Sequence, residues 1–445
     1  MTTTTPPRAA TGPLISPAQR RSIVVACVGN FIEWYEFVLY GYFASTIAKL
    51  FFPDGDPTAA LLLTFALFGV SFVVRPLGGV VFGYIGDRHG RRGALAAIIL
   101  MISLGTALMA LVPPYASIGV AAPVLILVLR LVQGLSAGGE WTGAVAYVIE
   151  TAPAERRAYY GSWQTITIVL GMMVASLSAL LFTEMLSPAA LMSWGWRIPF
   201  LIALPLGLIG LYLRLKLDET PEFARIAAAD GHERTPLRAT LRHDWRSILR
   251  VAGLVCSPTM CTYVLLVYGP TFLVTNLSVS PAHAKLAGFV AMVILMVLTV
   301  VFARWCDRVG RKPFLIAGAI WVLVTAPLGF VLLHQTSFGF LIAGLGVVVV
   351  GEALMLAPQP AVFAELFPTA RRYSGLGIGY NLGVVLFGGA GPLVATAIVE
   401  ATHSSYAPAG YLAFGALVSL IAAAATPETL SAARPAEPSG QTAAR

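Results

Sequence analysis

Charge is what this chain has least of. Lys, Arg, Asp and Glu make up 11% of its 445 residues, against about 25% in soluble domains. So few charges cannot clothe a water-facing surface, and 57% hydrophobic residues with a mean hydropathy of +0.80 exclude a set of soluble domains. Cysteine is scarce as well. The four, Cys27, Cys256, Cys261 and Cys306, lie in or beside apolar runs and form neither a CxxC nor a metal-ligand spacing, so they read as small buried hydrophobes. The six His fall in loops or at the ends of apolar runs, and no metal is expected. There is no G-x-x-x-x-G-K-[ST] loop, which excludes ATP hydrolysis of the P-loop kind and leaves a gradient as the energy source. The net charge of +8 comes with no basic patch or arm, because Lys and Arg sit in short segments between apolar runs, so nucleic-acid binding is excluded. Gly134-Leu135-Ser136-Ala137-Gly138 spells a nucleophile pattern but lies within an apolar run rather than at a strand-turn-helix, so no hydrolase and no cofactor is expected.

Long apolar runs are what the chain has in abundance. Those of about 20 residues, each ~30 Å long as a helix and able to cross a bilayer, number twelve: 23–48, 59–84, 93–112, 119–147, 159–183, 196–213, 248–274, 285–304, 313–333, 338–362, 374–399 and 408–426. These are spans 1 to 12. In lipid the backbone must satisfy its own hydrogen bonds, so an all-α polytopic membrane protein with the bilayer as its solvent is expected. Residues 1–22 are Thr/Pro-rich and lead into a run too long and too aromatic for a cleaved signal peptide. With the N-terminus inside, 24 of the 29 Lys and Arg fall on inner segments, which places both termini in the cytoplasm of a multi-pass protein of the cell inner membrane.

The chain repeats itself. Gly83-x-x-x-Asp87-Arg88-x-Gly90-Arg91-Arg92 after span 2 returns as Ala303-x-x-x-Asp307-Arg308-x-Gly310-Arg311-Lys312 after span 8. Glu150-x-x-Pro153-x-x-Arg156-Arg157 after span 4 returns as Glu365-x-x-Pro368-x-x-Arg371-Arg372 after span 10. The offsets, 220 and 215 residues, are about half the chain, so two six-helix halves in parallel orientation follow. The division is a tail 1–22, a bundle 23–213, a cytoplasmic linker 214–247, a bundle 248–426 and a tail 427–445.

With these motifs the sequence resembles the major facilitator superfamily, and within it the metabolite:proton symporter family. The narrower likeness rests on Gly29-Asn30-Phe31-Ile32-Glu33-Trp34-Tyr35-Glu36-Phe37, Arg75-Pro76-Leu77-Gly78-Gly79, Arg130-x-x-Gln133-Gly134-x-x-x-Gly138-Gly139-Glu140, Trp194-Gly195-Trp196-Arg197-Ile198-Pro199-Phe200 and Asp218-Glu219-Thr220-Pro221. It implies twelve transmembrane helices in two pseudo-symmetric halves, alternating access and proton symport. The carried substrates would be citrate, α-ketoglutarate, shikimate and related acids, or the zwitterions proline and betaine. Span 5 lacks the Gly-Pro signature of the superfamily's antiporters. Three positions depart from the family: Glu36 stands for the usual Asp, Ala303 for Gly, and Glu352 is an additional carboxylate in span 10.

Charges at membrane depth are costly and mark a path or a partner. In span 1, Gly29, Glu33, Glu36 and Tyr40 share one helical face. Two carboxylates one turn apart repel, so Glu33 and Glu36, with Glu140 in span 4, are the candidate proton-coupling groups. Arg130, Gln133, Ala137 and Glu140 also share a face, with Glu140 about 15 Å from Arg130 along the axis. A guanidinium fork fits a carboxylate, so Arg130 is the first candidate for holding substrate, Arg75 the second, and Gln133 a neutral donor. Buried Arg130–Glu140 or Arg75–Glu33 pairs are the structural alternative. Trp34, Tyr40, Tyr263 and Asn381 complete the candidate binding set. Asp87, Arg88, Arg91, Glu150, Arg157, Asp307, Arg308, Glu365 and Arg372 are the candidate cytoplasmic gate, since acids at fixed spacing from Arg in both halves can pair across them.

The expected partners are a small carboxylate-bearing substrate or zwitterion, and protons; a monomer is expected. An organic acid, a di- or tricarboxylate, is preferred over a proline- or betaine-like osmolyte, because Arg75 and Arg130 together can neutralise two carboxylates. A transporter-like metabolite sensor is the third reading, and the short tail rich in Ala, Pro, Ser and Gln speaks against it.

Overall fold

The computed structural model describes residues 17–52, 56–89, 91–216, 236–368 and 372–430, and every regular element among them is helical. Eleven helical stretches are long and apolar enough to cross a bilayer: Ile23–Tyr42, Pro57–Phe82, Ala121–Glu150, Ala154–Met185, Pro188–Leu215, Trp245–Val267, Pro281–Val309, Lys312–Leu333, Phe338–Glu365, Ser374–Thr402 and Ala407–Ala425. The shorter Ala96–Met109, part of the helix Arg91–Met109, is span 3 and completes the twelve. Residues 1–16, 217–235 and 431–445, with most of both tails and of the linker, lie outside the described residues. The four cysteines are buried and unbonded.

Local chemistry sets the span ends. Asp56 and Ser280 each precede a Pro at the first helical turn and accept backbone N–H groups, Asp56 from Thr58 and Ala59 at 3.0 and 3.3 Å and Ser280 from His283 at 3.3 Å. Span 8 stops at Gly310, whose φ of +126° suits only glycine. That is the reason for the glycine in the second Asp-Arg-x-Gly-Arg copy.

Spans 2 and 4 cross backbone against backbone. A Cβ on Gly134 would overlap the carbonyl of Ser71, one on Gly138 that of Arg75, and one on Gly78 that of Leu135. The small residues four apart are thus a packing surface, and Ser136 among them is a buried helical residue bonded to the carbonyls of Val132 and Gln133. Gly134→Val should force the spans apart at a cost of about 1–3 kcal/mol. A lower unfolding temperature of the detergent-solubilised protein checks this, and an unchanged one would show the crossing to be slack.

Spans 1 to 6 pack on one another, as do spans 7 to 12, and the two sets meet where span 5 lies along span 8 and span 2 along span 11. Exchanging each span for the one six further on maps one seam onto the other, as the repeat requires. Span 4 breaks at Gly138–Gly139, between helices Ala121–Ala137 and Glu140–Thr151. Its counterpart, span 10, breaks at Ala357–Pro358, between Phe338–Leu356 and Gln359–Glu365. Spans 7 and 11 carry wide π-turns at Thr262–Val267 and Val384–Gly389, a distortion that recurs at functional sites. Val73, Leu77, Leu208, Val324 and Ile421 face outward and suit a lipid surround.

Candidate functional site

A cavity lies between the halves, lined by residues that flank the breaks of spans 4 and 10 and by the start of the span 7 π-turn. Four rings from four spans line it, Trp34 and Trp141 from the first half and Tyr263 and Tyr380 from the second. Trp34 stacks on Tyr263 with centroids 6.1 Å apart, and Trp141 on Tyr380 at 3.8 Å. Thr165, Thr259, Thr262 and Gln359 supply polar groups, and among the described residues no Lys, Arg, Asp or Glu lines the cavity.

Of the binding residues read from the sequence, Trp34 and Tyr263 line the cavity, whereas Arg130, Arg75, Gln133, Tyr40 and Asn381 do not. Arg130 is fully buried inside the first half. It donates to Gln133 Oε1 at 2.8 Å, Ser71 Oγ at 3.0 Å and the carbonyls of Phe37 and Phe68 at 3.4 Å, and it packs on the rings of Phe37, Tyr40 and Phe68. Gln133 passes the chain to Thr106 at 2.6 Å, and Thr106 and Ser103 bond the Glu36 carboxylate at 3.3 and 2.6 Å. Arg130 and Glu36 therefore belong to one hydrogen-bond network. Asn381 donates to the carbonyl of Gly138 at 3.1 Å, tying span 11 to the break in span 4.

The Arg130–Glu140 pairing does not form. The Gly138–Gly139 break removes Glu140 from the Arg130 face, and its carboxylate bonds instead to Arg214. The sequence reading assigned Arg214 to the linker, yet it is buried in the last turn of span 6. The signal was present: Gly207, Gly210 and Arg214 share a face at i, i+3, i+7, and all three are buried. Gly29 leaves room for the pair, since a Cβ there would stand 2.5 Å from Arg214 Nη2 and 2.6 Å from Glu140 Oε1.

Glu33 lies within electrostatic reach of Glu140, Arg75 and Arg214, and its Oε2 has no hydrogen-bond partner. Arg75 packs against Phe37 and Phe72, 4.4 and 4.6 Å from their centroids, where the two rings meet edge-on, with Nε and Nη2 unpartnered. It acts electrostatically on the cavity residues Tyr263 and Tyr380.

The repeated motifs meet at one end of the bundle, the motif face. Arg157 pairs with Glu365 at 3.0 Å and Arg372 with Glu150 at 2.7 Å, a reciprocal exchange between the halves. Arg311 also bonds Glu365, and Asp307 accepts the N–H groups of Ala158 and Tyr159 in the first turn of span 5 at 3.0 and 2.8 Å. Arg311 is missing from the sequence-derived gate although its repeat counterpart Arg91 is in it. Arg308 is exposed and takes no part in these pairs. The side chains of Asp87, Arg88 and Arg91 lie outside the described residues. Burial works against the charge of Glu428, but the backbone N–H groups of Leu430, Arg311 and Lys312, with that of Thr429, outweigh it and hold the carboxyl below its usual range. The segment after span 12 is thereby docked on the loop that carries Arg311.

Toward the opposite face the halves meet through rings, Phe65 on Tyr268 and both Phe68 and Phe72 on Tyr263. Lys285 of span 8 reaches the carbonyl of Ala179 at 3.1 Å and Thr183 at 2.6 Å in span 5.

A mid-depth cavity between two six-span halves, with ion pairs beyond one end and edge-on ring contacts beyond the other, defines a membrane carrier. Comparison with known proteins agrees. The profile described as "Sugar (and other) transporter" matches residues 22–239, and that of the "Major Facilitator Superfamily" matches residues 251–444. The chain is 37% identical over 420 residues to the proline/betaine transporter of Salmonella typhimurium, spanning 92% of this chain and 84% of that one. It is 36% identical to the glycine betaine/proline/ectoine/pipecolic acid transporter of Dickeya dadantii, with 90% and 82% covered. With the ectoine/proline transporter of Corynebacterium glutamicum it shares 35%, with 91% and 83% covered. Among solved structures, the partially occluded inward-open xylose transporter from E. coli superposes with a TM-score of 0.75 at 20% identity, covering 93% of this chain and 99% of that one. The chain belongs to the metabolite:proton symporter family of the major facilitator superfamily. The substrates named for these relatives, proline and betaine among them, are of the class that the sequence reading placed second, and they back that alternative better than the organic acid placed first.

Proposed function

We propose that this chain is a proton-driven symporter that imports a proline- or betaine-like zwitterion across the cell inner membrane. The observation that carries the substrate class is the cavity itself, four rings with no charged side chain in its lining. Ring faces are negative, so they attract a quaternary or secondary ammonium, each good contact contributing about 0.5–2 kcal/mol, and they repel the several charges of a di- or tricarboxylate. Arg75 is the group we assign to the substrate carboxylate, in place of Arg130, whose fork is filled by Gln133 and Ser71. Glu33 beside it supports coupling: a proton on Glu33 removes a competing anion and frees Arg75 to bind substrate. The positive-inside bias makes the motif face and both termini cytoplasmic. Residues 23–213 and 248–426 are then the two bodies that rock about the seams of spans 5 with 8 and 2 with 11, driven by the proton gradient without a cofactor.

Proteoliposomes holding a trapped pH dye test this. Betaine or proline should acidify the lumen, and di- and tricarboxylates should not. Trp141→Ala should raise the half-saturating betaine concentration by about 10- to 30-fold, the equivalent of ~1.4–2 kcal/mol. Acidification by an organic acid with silence from betaine and proline would overturn the substrate while leaving the fold.

A further inference from the structure

We propose that Glu352 is a second proton-carrying residue, lodged in the second half and joined to the substrate cavity through the Thr262 hydroxyl. The inference rests on the proton-symport reading and adds a site to it. Glu352 lies on span 10 with none of its surface exposed. One carboxyl oxygen accepts the Thr262 hydroxyl, and the other, Oε2, has no partner.

Its surroundings differ from those of Glu140 and Glu33 in the first half, while Glu36 is likewise held by hydroxyls, those of Ser103 and Thr106, and joins Arg130 only through Thr106 and Gln133. Glu140 has Arg214, and Glu33 has Arg75 and Arg214 within reach. Around Glu352, span 7 presents Thr262 and the thiol of Cys261, and spans 8 and 9, which also pack on span 10, present no charged or titratable group that acts on it among the described residues. An ionised carboxylate buried without a cation costs several kcal/mol. In this closed arrangement Glu352 must therefore hold a proton, and it can release one only when a water path reaches it. A group whose proton occupancy follows the opening of a face is what coupling requires.

The connections point the same way. Thr262 lines the cavity and is the first residue of the π-turn that places Tyr263. Span 10 also carries Gln359, in the cavity wall and bonded to the carbonyl of Leu254 at 2.9 Å, and Glu365, the double acceptor of the gate. One broken helix thus holds the proton group, a wall of the cavity and the gate acid. In each cycle, water at the face opposite the motifs gives up a proton to form the O–H bond at Glu352, and water at the motif face takes it back, leaving the carboxyl unchanged overall.

The full chain in proteoliposomes, with radiolabelled glycine betaine and a trapped pH dye, tests the site. Glu352→Gln keeps the size and can still accept from Thr262 but cannot carry a proton. Uptake should persist while protons entering per betaine fall to about half the wild-type ratio, and adding Glu33→Gln should remove the remainder. Thr262→Val should lower the ratio and Thr262→Ser restore it, a pattern that a purely structural role would not produce. A wild-type ratio in Glu352→Gln would overturn the proposal.

A second arm needs no substrate. Infrared spectra of the purified protein in lipid at neutral pH should show a protonated-carboxyl band that Glu352→Gln lacks and Glu352→Asp displaces. Identical spectra would overturn the proposal even if betaine and proline are not carried, a result that would separately refute the substrate assignment.

Discussion

Exchanging Arg75 for Lys should raise the concentration of betaine or proline needed for half-maximal uptake by about 30- to 100-fold, equivalent to losing roughly 2–3 kcal/mol of charge-assisted hydrogen bonding. The Arg75 guanidinium rests against the rings of Phe37 and Phe72 with Nε and Nη2 unpartnered, so it offers a free fork. An ammonium keeps the charge but has neither the plane to pack on a ring nor the fork to grip a carboxylate. The contrasting variant is Arg130→Lys. Because Arg130 serves Gln133, Ser71 and two backbone carbonyls, its replacement should lower the unfolding temperature and leave the substrate concentration dependence nearly unchanged. If Arg130→Lys shifted the half-saturating concentration and Arg75→Lys did not, the carboxylate site would have to be moved.

Neutralising Glu365 should open the motif face. Glu365 receives both Arg157 and Arg311, and Arg311 has no exposed surface. Removing the acid leaves two guanidiniums facing each other, with only Asp307, 3.8 Å from Arg311, in part compensation. Breaking a buried pair this way costs about 3–5 kcal/mol, enough to change a population ratio by about two to nearly four powers of ten. In Glu365→Gln, a Cys placed at Gln359 in the cavity wall should become reactive to a reagent supplied from the motif face, while net uptake falls because the gate cannot re-form. The Glu150–Arg372 pair is the internal comparison. Its side chains retain 27% and 15% of their exposure, so solvent screens it and Glu150→Gln should shift the equilibrium by under about 1 kcal/mol. Equal opening by the two variants would show that burial of the Glu365 cluster is not what holds the face shut.

The two variants also separate what could be read from the chain from what could not. Glu150, Arg157, Glu365 and Arg372 were readable as a gate because duplication writes the same acid-to-Arg spacing twice and both copies fall at equivalent span ends. The repeat could not show that Glu365 serves two cations, since Arg311 reaches it from the other repeated motif, in the loop after span 8.

What the sequence alone determined is whatever each segment settles by itself. An apolar run of about 20 residues must form a helix in lipid, and basic residues bias which side a loop occupies, so the twelve spans and the two halves follow from local rules. The glycine at Gly310 and the small-residue face at Gly134 and Gly138 belong to the same class, because backbone geometry and close approach constrain residue type directly. The tertiary structure decided which buried charges meet. That depends on the rotation of each helix and on breaks such as Gly138–Gly139, which sent Glu140 to Arg214, 74 residues away, rather than to Arg130 on its own span. It also decided the binding chemistry. Trp34 and Tyr263 were readable as candidates and Trp141 and Tyr380 were not, and only the convergence of four spans brings the four rings together at one cavity as two stacked pairs.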